Sequence, residues 1–63
     1  MTADEAAARV REVFPHLHVG VKSGQVFVMD NGAWAYIDAD AFDDLNDDDV
    51  AYLVKGMLHG RGA

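Results

Sequence analysis

The dipeptide Asn31-Gly32, set between Gln-Val-Phe-Val-Met-Asp and Ala-Trp-Ala-Tyr-Ile-Asp, constrains this chain more than any other feature. Both central positions of a type I′ turn need positive φ, and Asn-Gly tolerates that geometry better than almost any other pair. A two-residue hairpin is therefore predicted there. Ser23-Gly24, between two further β-rich runs, predicts a second one. Together they give a three-stranded antiparallel meander with strands His16–Lys22, Gln25–Asp30 and Ala33–Asp38.

Two tight turns also fix the register, because a slip of one residue would exchange the faces of the sheet. Lys22 is expected opposite Gln25, and Asp30 opposite Ala33. Counting outwards, one face carries the rows Val21–Val26–Ile37, Val19–Val28–Ala35 and Leu17–Asp30–Ala33. The other carries Gly20–Phe27–Tyr36, His18–Met29–Trp34 and Lys22–Gln25–Asp38. The first face is aliphatic and suits helix packing. The second is aromatic and amphipathic.

Helices flank the meander. Thr2 and Glu5 match the T-x-x-E capping box at the start of a helix over residues 2–14. Ala6, Val10, Val13 and Phe14 form its apolar stripe, and Pro15 ends it. Residues 39–45 suggest a short helical turn with Phe42 and Leu45 pointing inward. Asn46 is a good N-cap, and Asp47, Asp48 and Asp49 complement the dipole of the helix that follows. Val50, Leu53, Val54, Met57 and Leu58 mark its buried stripe. Gly60 and Gly62 should end it, with Arg61 near its negative end. The expected fold is α+β with two layers, ordered α-β-β-β-(short α)-α, both helices on the aliphatic face.

This element order resembles that of double-stranded-RNA-binding domains in topology. Those domains place basic residues at the start of the last helix, where this chain has three aspartates. The resemblance does not extend to RNA binding.

Composition narrows function further. At 63 residues there is room for one domain, and a chain this short buries only ~60% of its unfolded surface. It has no cysteine, so disulfides and thiolate metal sites are excluded as staples. A partner subunit is the remaining expected one. Eleven acidic residues against five basic give a net charge of −6, which disfavours nucleic acid and anionic membranes as direct ligands. No apolar run approaches the ~20 residues of a membrane span, and Met1–Glu5 lacks a signal-peptide pattern. The chain is expected to be cytoplasmic.

Two surfaces stand out as candidate contacts. With both helices on the aliphatic face, His18, Phe27, Met29, Trp34 and Tyr36 are left open as a patch of the kind that marks protein interfaces. Covering each face with one helix would instead make them core. The second surface is the acidic run Asp38, Asp40, Asp43, Asp44, Asp47, Asp48 and Asp49, seven aspartates within twelve residues. Capping and turn chemistry explain two or three of them; the whole cluster could attract a basic protein surface.

Other chemistry finds less support. Counted as an EF-hand loop from Asp38, the run puts Phe42 at position 5 and Asp43 at the glycine position, so the calcium pattern fails. His16 and His18 lack a third zinc ligand in register. Ser23 falls in a turn, Thr2 in a cap, and no nucleophile or phosphate-binding motif is present. No metal, cofactor or catalytic residue is expected.

The reading is a non-enzymatic acidic interaction module, homodimeric through its aromatic face and binding a basic protein surface. In size and charge it is similar to phage-encoded inhibitors of nucleic-acid machinery, anti-CRISPR proteins among them. The alternatives are a monomeric accessory subunit of a larger assembly and a metal- or small-ligand-binding module.

Overall fold

The computed structural model describes residues 1–60 and contains helix α1 (Ala3–Val13), strands β1 (His18–Lys22), β2 (Gln25–Asp30) and β3 (Ala33–Asp38), a 3-10 turn (Ala39–Phe42), helix α2 (Asp47–Lys55) and a π turn (Gly56–Gly60). The expectations for Arg61 and Gly62 lie outside the described residues.

Both hairpins close over two residues with positive φ throughout: Ser23 at 52° and Gly24 at 77°, Asn31 at 50° and Gly32 at 88°. That is the type I′ pattern. The strands form one antiparallel sheet in the order β1-β2-β3. Lys22 pairs with Gln25, Gly20 with Phe27 and His18 with Met29; Asp30 pairs with Ala33, Val28 with Ala35 and Val26 with Ile37. The register is the one the turns dictate.

Strand β1 starts two residues later than expected, at His18. Pro15 does not merely end α1; it opens a turn in which the Leu17 amide donates back to the Phe14 carbonyl at 3.1 Å. His16 lies in that turn. It therefore does not share a strand face with His18.

At α1, the Thr2 hydroxyl accepts from the Glu5 amide (3.1 Å), and a Glu5 carboxylate oxygen accepts from the Thr2 amide (2.9 Å). The bond from the Thr2 amide first, and the Thr2 hydroxyl beside the carboxylate second, hold the Glu5 carboxyl below its ordinary pKa. Near the other end of α1, the Arg11 guanidinium donates to the Val19 carbonyl at 3.1 Å. At α2, the Asn46 side chain accepts from the Asp49 amide at 2.8 Å.

The short turn after β3 is tighter and shorter than expected. It ends at Phe42, and Leu45 lies beyond it, half-buried. Asp44, at φ 63°, takes the left-handed conformation that aspartate tolerates, and this separates the turn from α2. The α2 stripe likewise changes geometry part-way. Regular α-helix stops at Lys55 and the chain continues as a single π turn from Gly56, a form usually seen only in isolated turns. Met57 and Leu58 still pack against the core from there.

The core lies between the helices and one sheet face. Ala6, Ala7 and Val10 from α1 meet Val26, Val28, Ala35 and Ile37 from the sheet, Ala39 and Phe42 from the 3-10 turn, and Val50 and Val54 from α2. No polar side chain is buried with them among the described residues. Both helices thus cover the aliphatic face. Coverage thins at β1, where Val21 remains 43% exposed.

Candidate functional site

The uncovered side of the sheet is built by strand alternation alone. Each residue pointing away from Val26, Val28, Ala35 and Ile37 must emerge on the opposite face. There the structure brings together all five residues singled out from the sequence: His18 on β1, Phe27 and Met29 on β2, Trp34 and Tyr36 on β3. Trp34 is 59% exposed and Tyr36 37%, while Phe27 and Met29 at the centre are half-buried by their neighbours.

The rings support one another. Phe27 and Tyr36, paired across β2 and β3, have centroids 5.2 Å apart and tilted by 48°; Trp34 meets Tyr36 edge-on at 5.8 Å and 78°. Tilted and edge-to-face contacts of this kind are the arrangements aromatic pairs favour. One end of the face is polar: the Gln25 side-chain amide donates to the Asp38 carboxylate at 2.8 Å, with Lys22 beside Gln25 on β1.

Gly20 occupies the place on β1 that completes the Phe27–Tyr36 row. Its φ is not among the positive values, and a Cβ built there would meet nothing within 4 Å. Neither backbone geometry nor packing within the chain requires a glycine. Interior strand glycines weaken a strand and often mark the close approach of another surface.

All seven aspartates of the acidic run are exposed. Asp43 accepts from the Met1 amino group at 2.8 Å, and that hydrogen bond and charge raise the amine pKa. Asp47 pairs with Arg9 at 3.2 Å. Among the described residues, the carboxylates of Asp40, Asp44, Asp48 and Asp49 have no polar partner. Asp38 belongs to both surfaces, ending β3 on the aromatic face and beginning the acidic run.

Tyr52 was not expected at a surface site. It projects from α2, 84% exposed, above a shallow hollow also lined by Leu45, Asp49, Leu53 and Met57. The signal was available in the sequence: on a helix whose apolar stripe is Val50, Leu53, Val54 and Met57, an aromatic at 52 falls outside the stripe.

Other clusters stay apart. Among the described residues no three histidine, aspartate or glutamate side chains converge as a metal site. A hollow beside the turn after α1 contains His16 and Asp30, but its lining of Val13, Phe14, Pro15 and Leu17 supplies no nucleophile. No helix among the described residues is long and apolar enough to cross a membrane. Comparison with protein-family models, curated proteins and solved structures finds no match to this chain.

Proposed function

We propose that the chain is a non-enzymatic interaction module that pairs with a second copy through its aromatic sheet face and offers its acidic run to a basic protein surface. The observation that carries this reading is Trp34 standing 59% exposed among Phe27, Met29 and Tyr36, on a face that neither helix covers. Aromatic residues and methionine are the types enriched in protein interfaces. A second copy would also supply the staple that a cysteine-free chain of 63 residues lacks.

The acidic run adds direction and speed more than affinity. Exposed like charges set up a field that steers a basic partner towards the run and rejects acidic ones. Tyr52, next to Asp48 and Asp49 in the helix, gives a lysine or arginine an aromatic surface to rest on. Basic surfaces that hold nucleic acid are suitable targets, and on this reading the chain acts as a small acidic inhibitor of such machinery.

Solution mass measured across a dilution series tests the pairing. The wild type is expected to run as a dimer at high concentration, whereas Trp34→Ala and Tyr36→Ala should remain monomers with an unchanged α+β spectrum. A wild type of single-chain mass throughout would refute it.

The acidic run is tested separately, with an immobilised arginine-rich peptide as the probe. Changing Asp47, Asp48 and Asp49 together to asparagine keeps the capping geometry while removing three charges, and should weaken binding roughly tenfold at low salt. Equal affinity would exclude this surface.

A further inference from the structure

The open sheet face is complementary to itself about one particular axis. Its three rows run Lys22–Gln25–Asp38, Gly20–Phe27–Tyr36 and His18–Met29–Trp34 from β1 to β3. In two of the three rows the β1 member and the β3 member are opposites, and in the third both are rings that can stack. A cation stands across from an anion, an empty position from a large ring, and an imidazole from an indole.

We propose that two copies pack face to face about a twofold axis running along β2, so that β3 of each lies over β1 of the other. The proposal rests on the pairing reading above and specifies its geometry. Rotation about such an axis exchanges the two edge strands and leaves each row facing its own copy. Lys22 then meets the partner's Asp38, Gly20 receives the partner's Tyr36, Phe27 stacks on its counterpart, and His18 lies under the partner's Trp34. Every unlike pair is made twice, as an isologous interface requires.

Three observations favour this axis over the other face-to-face choice, an axis across the strands. First, Gly20 has open space above it and no need of its own for a glycine. An axis across the strands would set Gly20 against Gly20 and Tyr36 against Tyr36, a void beside a clash. Second, that axis would place Lys22 over His18, whereas the axis along β2 gives Lys22 a carboxylate. Third, Asp38 is already held by the Gln25 side chain at 2.8 Å, which fixes the acceptor before association. Sheet twist opens the strands of the two copies to the roughly 30° usual for aligned sheets. Nine residues per copy form the contact, fewer than the ~20–30 of a standard interface, so the dimer should be weak and dependent on concentration.

Exchanging charge tests the axis directly. Lys22→Asp and Asp38→Lys each turn both attractive pairs of their own homodimer into repulsive ones. Each should raise the dissociation constant about tenfold or more. Mixing the two variants restores both attractions in the heterodimer, so the mixture should dimerise as well as the wild type. Gly20→Ile, whose Cβ meets nothing within 4 Å in the lone chain, should abolish dimerisation while the monomer melts no lower than wild type. It also serves if either charge variant fails to fold by circular dichroism.

A wild-type dimer that tolerates Gly20→Ile, or variants that fail to recover on mixing, would overturn this axis and leave pairing itself intact. A wild type that never dimerises would remove both.

Discussion

Replacing Phe42 with alanine is expected to remove most of the protein's stability, bringing it close to its unfolding midpoint at room temperature. Phe42 is the largest fully buried side chain, and it stands where the 3-10 turn carries the chain from β3 back towards α2. Its ring packs with residues of both helices and the sheet in one core cluster. Removing a buried phenylalanine ring costs about 3–5 kcal/mol, made up of lost transfer energy and a cavity that the surroundings fill only in part. A domain this small has on the order of 5 kcal/mol in total. The loss is therefore comparable to the whole. Far-ultraviolet circular dichroism of Phe42→Ala should show little cooperative melting. Phe42→Leu, which keeps most of the volume, should retain a transition at lower temperature. A cooperative melt of Phe42→Ala within a few degrees of wild type would show that the 3-10 turn does not seal the core.

The second large effect is expected at the turn between β2 and β3. Asn31 and Gly32 sit at φ 50° and 88°, in the left-handed region where a Cβ meets the following carbonyl oxygen. Glycine adopts that region freely and asparagine with little penalty; alanine does neither. Changing both to alanine should cost about 1–3 kcal/mol, read as a fall in the midpoint of a urea titration with an unchanged slope. The loss should not be confined to the turn. Register across β2 and β3 sends Trp34 and Tyr36 to one side and Ala35 and Ile37 to the other, so a loosened turn also blurs the contact face. An unaltered midpoint would show that strand pairing alone sets the register.

Much of this architecture was legible in the sequence because short turns leave the chain few choices. Once two hairpins close over two residues each, every cross-strand partner follows by counting, and alternation assigns each side chain to a face. That reasoning placed all five residues of the aromatic face correctly relative to one another. It was less able to locate ends. The first residues of β1 were lost to the turn opened by Pro15, since His16 and Leu17 have strand-like neighbours in sequence but a hydrogen bond back to Phe14 in space. The π turn at Gly56 changes the period of a stripe whose residue types stay the same, so a count at α-helical spacing passes over it. Ala7, fully buried against the sheet, reads in sequence like its neighbour Ala8, which is exposed. The meaning of Gly20 needed coordinates, because only the empty space above it shows that the lone chain has no use for a glycine there.

The bond from Arg11 to the Val19 carbonyl has a consequence for how far strand-to-strand growth can go. A β-sheet polymerises when each molecule presents bare backbone on both flanks, so that every addition recreates the site for the next. Here a guanidinium from α1 sits across one flank and occupies an oxygen that an incoming strand would need. An open-ended ladder is interrupted at its second step. Growth strand by strand from the β1 flank is thereby disfavoured.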